Sequence, residues 1–98
     1  MKFIALIEVA PHASLEQVRA ELLQELKGSW ALYTAGALRE AYATDSPGRV
    51  VFVLESPDRG QAEAALQTLP LISAGHLRYE LVELRPFVNW SLLFEPPP

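Results

Sequence analysis

The chain has 98 residues, of which 50% are hydrophobic and 20% are charged, with a formal net charge of −4. This length predicts one domain covering residues 1–98, and the composition is that of a globular protein rather than a disordered one. With only two lysines and with scattered arginines, the chain lacks the basic clusters that phosphate binding needs, so we expect no nucleic-acid partner. The absence of cysteine excludes disulfides, thiolate catalysis and cysteine-bound metals.

The first strand is predicted at residues 2–9, where the segment KFIALIEV is rich in β-forming residues and ends before the turn signal Ala10-Pro11. This apolar run is too short to cross a membrane, and Glu8 interrupts it. It also lacks the small-residue cleavage site of a signal peptide. We therefore expect a cytoplasmic protein without a membrane partner.

A capping box predicts the start of the first helix: Ser14 is followed three residues later by Gln17. Apolar residues then recur at a spacing of three or four, which is typical of one helical face. They are Leu15, Val18, Leu22, Leu26, Trp30 and Tyr33. The pattern predicts one helix from about 15 to 34, bent at Gly28-Ser29 and ended by a left-handed Gly36.

A hairpin is predicted where residues 37–44 and 49–55 flank the turn tetrapeptide DSPG. Ser56-Pro57-Asp58 then opens the second helix with an N-cap, a first-turn proline and an acid near the helix N-terminus. The stripe expected to be buried on this helix is Ala62, Ala65, Leu66 and Leu69. Pro70 is expected to end the helix.

The last strand is predicted at residues 76–84, and an apolar C-terminal arm follows within residues 86–98. The resulting order β-α-β-β-α-β is the ferredoxin-like arrangement, an α+β fold. Its four-stranded antiparallel sheet has the order 4-1-3-2, with both helices on one face. Strands 1 and 3 are apolar on both faces, although a sheet with one wet face alternates. We therefore expect a homodimer, or a higher homo-oligomer, that covers the second face and the arm.

Two long segments resemble one known family. They are WALYTAGALREAYATDSPGRVVFVLES at 30–56 and LPLISAGHLRYELVELRPF at 69–87. Both are similar to muconolactone-isomerase-like proteins of the dimeric α/β-barrel superfamily, and in particular to an uncharacterised bacterial branch. There a Leu-Pro-Leu follows the second helix, and an acid and a Leu-x-Pro close the fourth strand. The resemblance implies a dimeric α/β barrel and a cofactor-free isomerase or related enzyme. The superfamily also includes cofactor-free monooxygenases, haem proteins and members of unknown function.

The predicted topology brings several polar side chains to one edge of the sheet. The ends of strands 1 and 2 meet the starts of strands 3 and 4 there, which gathers Glu8, Tyr42, Arg49, His76 and Arg78. Such a set can polarise a carbonyl group and move a proton. We predict catalytic roles for Glu8, His76 and Tyr42. Arg39 and Tyr33 are the predicted ligand-binding residues, from strand 2 and the first helix.

Each of these residues also has a structural alternative. Glu8 can form an ion pair with Arg78 on the neighbouring strand, and His76 can be a turn residue. Arg39 can belong to a surface pair on an edge strand. Tyr33, together with Trp30, can belong to the core or wall an aromatic pocket.

Three function classes therefore remain open. The first is an enzyme without cofactor or metal that acts on a small aromatic or lactone-like acid, in a pocket between the sheet and the helices. The second is a ligand-binding or regulatory dimer without turnover, and the third is a structural or accessory protein. A pocket with a titratable group favours the first class, an apolar pocket without one favours the second, and a filled interior favours the third.

Overall fold

A four-stranded antiparallel sheet organises the protein, and the computed structural model describes residues 1–96. Its strands, β1 (Lys2–Val9), β2 (Leu38–Ala43), β3 (Val50–Glu55) and β4 (Leu77–Leu84), lie in the order β2-β3-β1-β4. Between them are four helices: α1 (Leu15–Ala20), α2 (Leu22–Thr34), α3 (Arg59–Gln67) and α4 (Pro70–Ser73). A C-terminal 3₁₀ helix covers Val88–Phe94. The predicted ferredoxin-like topology and the predicted strand order are confirmed.

The two faces of the sheet differ in what covers them. On β1, Phe3, Ala5 and Ile7 point toward the helices and are almost fully buried in the core. Most side chains on the other face stay at least partly accessible, and Leu6 is 37% exposed, although Val53 on the central strand β3 is buried. We call this second side the open face; the strand registers place on it the apolar residues Ile4, Leu6, Tyr42, Val82 and Leu84. The core is therefore built on one side of the sheet only.

The first helical segment is not one helix bent at Gly28-Ser29, as the sequence predicts. The break lies at Glu21, where φ is −119° and ψ is 15°, and it separates α1 from α2. The predicted capping box at Ser14 and Gln17 is present. Gly28 lies within α2 and does not bend it. The absence of a side chain there lets the start of α4 pack closely, since a Cβ at Gly28 would lie 3.0 Å from a methyl of Leu69.

The side of α2 that faces the core differs from the prediction. Glu25 is buried, Gly28 and Leu32 are half-buried, and these three follow one another at helical spacing. Trp30 and Tyr33 are 66% and 51% exposed, so the prediction that they belong to the core is wrong for the single chain. Their rings stack on each other with centroids 5.2 Å apart.

The second helical region also departs from the prediction at both ends. The N-cap of α3 is Asp58, not Ser56, and its carboxylate accepts a hydrogen bond from the Gln61 N–H at 2.7 Å. Pro70 does not simply end the helix. It begins the short helix α4, because a proline lacks only an N–H that the first helical turn would leave unpaired. The left-handed conformation predicted at Gly36 is present, with φ of 86°.

The C-terminal arm, residues 86–96 of the described chain, extends away from the body of the molecule. The chain measures 60 × 27 × 20 Å, and its radius of gyration is 16.5 Å. A compact chain of this length would have a radius of about 13 Å. Large apolar side chains of the arm are exposed, namely Phe87, Val88, Trp90, Leu92, Leu93 and Phe94. None of the helices among residues 1–96 is both long and apolar enough to span a membrane.

Candidate functional site

A cavity of about 250 Å³ lies between the sheet and the helices. We call it the helix–sheet cavity, because residues of both the sheet and the helices form its wall. The lining residues are Ile7, Val18, Leu22, Glu25, Leu26, Ser29, Ala41, Gly48, Val50, Phe52, Leu71 and Leu77. An apolar cavity of about 150 Å³ can hold benzene, so this one has room for a single substituted ring. A cavity in this position is what the first of the three function classes requires, but Glu8, Tyr42 and His76 do not line it.

One carboxyl group interrupts the apolar wall of this cavity. Glu25 is only 8% exposed, and its Oε1 accepts a hydrogen bond from the backbone N–H of Leu71 at 2.8 Å. Burial raises the pKa of Glu25 above its ordinary value, the Leu71 N–H opposes that rise, and the nearby charge of Glu21 adds to it. A raised pKa makes the ionised carboxylate a stronger base, so the group is better suited to take a proton and return it. Glu25 is therefore the group in the cavity that is suited to acid–base chemistry.

The same contact gives Glu25 a structural role. Leu71 is the second residue of α4, whose N-cap, Leu69, makes no side-chain hydrogen bond. The first N–H groups of a helix have no partner within the helix, so the Glu25 carboxyl takes over the missing cap from α2. The close packing at Gly28 holds the two helices at the distance that this hydrogen bond needs.

Glu25 is not among the site residues predicted from the sequence, although the sequence contains a signal for it. It follows Leu22 by three residues and Val18 by seven, so it lies on the same helical face as these two members of the predicted apolar stripe. A carboxylate in that position is either solvent-exposed at the edge of the stripe or buried with a partner. The partner, Leu71, lies 46 residues away in sequence, and no local pattern indicates it.

Of the predicted rim residues, Glu8 lies on the open face with two arginines. Arg78 donates to Glu8 Oε1 from Nε at 2.9 Å and from Nη2 at 2.6 Å. Arg49 Nη2 lies 3.7 Å from Glu8 Oε2. These residues line a depression on the open face together with Leu6 and Glu80. The ion pair that was the structural alternative for Glu8 is thus formed, with side chains that remain partly exposed.

The other two predicted catalytic residues do not join Glu8. The Tyr42 hydroxyl donates to the Glu40 carboxylate at 2.5 Å, and this hydrogen bond, reinforced by the negative charge of Glu40, raises the pKa of Tyr42. His76 is half-buried at the start of β4, and its backbone carbonyl accepts from the Ala10 N–H. The His76 Nδ1 atom is buried and has no hydrogen-bond partner in the described part of the chain.

The predicted ligand-binding residues lie elsewhere again. Arg39 sits in the irregular step of β2 between Leu38 and Glu40, at the other end of the sheet, and its Nε donates to the Gly36 carbonyl at 2.7 Å. Tyr33 and Trp30 wall a shallow groove beside β2. The five predicted site residues therefore do not converge on one cavity, and their roles stay predictions. Within residues 1–96, no three or more His, Asp or Glu side chains are grouped to hold a metal ion.

Comparison by sequence gives no matching family model and no matching curated protein. Comparison by structure gives eleven matching chains. One is the 5-chloro-2-hydroxyhydroquinone dehydrochlorinase TftG of Burkholderia phenoliruptrix AC1100, solved in complex with 2,5-dihydroxybenzoquinone. It matches with a TM-score of 0.69 and 12% identity, over 91% of this chain and 98% of the other.

A second match is muconolactone isomerase, with a TM-score of 0.69 and 17% identity, over 88% of this chain and 90% of the other. At these identities the likeness establishes the fold and nothing finer. The fold is that of muconolactone-isomerase-like proteins, which confirms the resemblance found in the sequence.

Proposed function

We propose that this protein is a cofactor-free isomerase, or a related proton-transfer enzyme, that acts on a small aromatic or lactone-like ring in the helix–sheet cavity. The observation that carries the proposal is the Glu25 carboxyl, which is 8% exposed in an otherwise apolar wall. Perturbed carboxyl groups in ring-sized cavities are typical of acid–base sites. Two proteins that share the fold are small enzymes, muconolactone isomerase and the dehydrochlorinase TftG, and this analogy of fold favours an enzyme over a structural protein.

The proposed step moves one proton within the substrate. Ionised Glu25 takes a proton from a C–H group beside a carbonyl, and the electron pair of that bond moves onto the carbonyl oxygen. The protonated carboxyl then returns the proton to another carbon of the same conjugated system, so the double bond shifts and no co-reactant is consumed. Because its pKa is raised, ionised Glu25 is a stronger base than an exposed carboxylate, and protonated Glu25 keeps its proton to a higher pH.

We also propose that the working form is a homodimer or a higher homo-oligomer. Three apolar surfaces of the single chain face solvent: the C-terminal arm, the exposed side of α2 around Trp30, and the open face. Monomeric proteins seldom expose contiguous apolar patches of this kind. A second copy has the matching surfaces and is the partner that these patches favour.

A non-catalytic binding protein is the second candidate, and the hydrogen bond from the Leu71 N–H to Glu25 favours it. In that case the carboxyl serves only to cap α4, and the cavity holds a ligand without turnover. The two candidates differ in what the proton on Glu25 does. A cap needs an acceptor oxygen, whereas the proposed enzyme needs a group that exchanges its proton.

The test uses an unsaturated γ-lactone in D₂O, with proton NMR following exchange at the carbon next to the lactone carbonyl. The native protein should accelerate this exchange, and Glu25→Gln, which keeps an acceptor for Leu71, should lower the rate by about 10²- to 10⁴-fold. The matched control is Glu16→Gln, because Glu16 is an exposed carboxylate on α1. Undiminished exchange by Glu25→Gln would contradict the enzyme proposal and leave the binding alternative.

A further inference from the structure

We infer that the helix–sheet cavity selects electrically neutral ring compounds and excludes carboxylates of the same shape. This inference rests on the proposed function and narrows its substrate class. The resemblance in sequence implies an aromatic or lactone-like acid as the substrate. The residues that line the cavity favour a ring without a charge instead.

The side chains that line the cavity carry no positive charge to compensate an anion, and the hydroxyl of Ser29 already donates to the Leu26 carbonyl. None of the lining residues within residues 1–96 is a lysine, arginine or histidine. Burying a carboxylate without a paired charge or several hydrogen bonds is strongly unfavourable. A neutral ring of the same size loses little hydration and gains the contacts of the apolar wall.

The arginines closest in the fold to the predicted rim are engaged outside the cavity. Arg78 forms an ion pair with Glu8 on the open face, and Arg49 forms a longer ion pair with the same carboxylate. Arg39 is held by the Gly36 carbonyl at the opposite end of the sheet. A carboxylate inside the cavity would therefore meet no positively charged side chain in the wall, and Glu25, the one ionisable residue among those lining it, repels the ligand whenever Glu25 is itself ionised.

Glu25 does suit a neutral ligand that has an oxygen acceptor. Its Oε1 already accepts the Leu71 N–H, so the proton of the neutral carboxyl belongs on Oε2. That O–H group can donate to a carbonyl or hydroxyl oxygen of a ligand. The accepted class is therefore a single uncharged ring with a carbonyl, ester or hydroxyl oxygen, within a space of about 250 Å³.

Benzamide and benzoate test this selectivity, because they have nearly the same shape and differ in charge. Their affinities are measured near neutral pH by titration, following the backbone amide signals of Leu71 and its neighbours by NMR. We expect benzamide to bind at least about tenfold more tightly than benzoate, and we expect Glu25→Gln to reduce that ratio. Comparable affinities with shifts at Leu71 would overturn the selectivity and leave the proposed function standing.

Two controls separate this result from other failures. Ala41→Phe places a ring in the cavity wall from an exposed position of β2, so it should abolish benzamide binding. Persistent binding by that variant would place the ligand outside the cavity and overturn the inference. Absence of binding by both compounds to the native protein would overturn the inference and the proposed function together. The comparison on the native protein decides the question even where a variant fails to fold.

Discussion

Two carboxylates on opposite sides of the sheet have different surroundings and hence different chemistry. On the open face, Glu8 receives two hydrogen bonds from Arg78 and lies near Arg49. In the helix–sheet cavity, Glu25 has one backbone N–H and apolar neighbours, and burial raises its pKa. Burial with a single polar partner is what raises the pKa of a carboxyl and makes it a better base when it is ionised. Burial and pairing therefore distinguish the two acids, and position at the end of a strand does not by itself give a carboxylate unusual surroundings.

The largest effect should come from the surfaces that the single chain leaves uncovered. Deleting residues 87–98 removes the apolar arm, including Phe87, Trp90 and Phe94, so the proposed homodimer should weaken or dissociate. Buried apolar surface contributes about 25 cal/mol per Å², and several large side chains lose theirs. Light scattering at micromolar concentration should give about twice the 10.9 kDa chain mass for the full chain and less for the deletion. A well-folded monomeric full chain would contradict the dimer and the view that the open face is covered.

Replacing each of the two carboxylates by an amide, one at a time, tests the difference between them directly. Glu25→Gln should lower proton exchange by about 10²- to 10⁴-fold, whereas Glu8→Gln should leave it within about twofold. The measurement is the lactone exchange rate, with folding checked by circular dichroism. A large loss for Glu8→Gln with no loss for Glu25→Gln would reverse the assignment and restore Glu8 as the predicted catalytic residue.

The packing that supports Glu25 should be sensitive to side-chain volume. Gly28→Val puts a branched side chain where even a Cβ would lie 3.0 Å from Leu69, so unfolding free energy should fall by about 1–3 kcal/mol. Ala31→Val, on the exposed side of the same helix, should cost about 0.5 kcal/mol through helix propensity alone. Urea unfolding measures both variants. Equal losses for the two would mean that α2 and α4 do not pack as closely as described.

The pH dependence of stability should differ between the native protein and Glu25→Gln. Folding raises the pKa of Glu25 above its ordinary 4.5, so its stabilising contribution is full below that value and is lost as pH rises through the raised pKa. Relative to the native protein, the variant should therefore gain stability across that window. Thermal unfolding between about pH 4 and pH 8 measures the difference. Parallel profiles for the two proteins would show that Glu25 titrates normally.

The smallest effect is expected for the stability of Glu8→Gln. The ion pair with Arg78 is partly exposed, with 36% and 58% of the two side chains accessible. Such pairs contribute about 0–1 kcal/mol and are screened by salt. Unfolding at low and high salt should show a loss in this range that shrinks as salt is added. A loss of several kcal/mol would indicate that a second copy buries this pair.

The sequence was sufficient for the fold because its signals are local. A capping box at Ser14, a turn at residues 45–48 and a left-handed glycine at Gly36 fix where elements begin and end. Antiparallel pairing then predicts that Glu8 and Arg78 face each other, as they do. Each of these inferences needs only neighbouring residues or strand direction.

The site was not predictable in the same way. The segment 15–34 has two faces that could be buried, one with Leu22, Leu26 and Trp30 and one with Glu25 and Leu32. By apolar content the first is the better core face, yet tertiary packing against α4 buries the second. The choice depends on a contact 46 residues away in sequence, and the surplus apolar face fits the proposed second copy.

The break at Glu21 has a consequence for how fast a ligand reaches the cavity. Helix α1 has no buried residue and is separated from α2 by that break, yet its Val18 forms part of the cavity wall. The six residues of α1 can therefore detach from the cavity wall while the backbone hydrogen bonds of α2 stay intact. Local opening of this kind costs far less free energy than global unfolding. Backbone amides of α1 should exchange with solvent faster than those of α2. If α1 covers the entrance used by a ligand, we expect the uptake and release of that ligand to follow the opening rate of this one short helix.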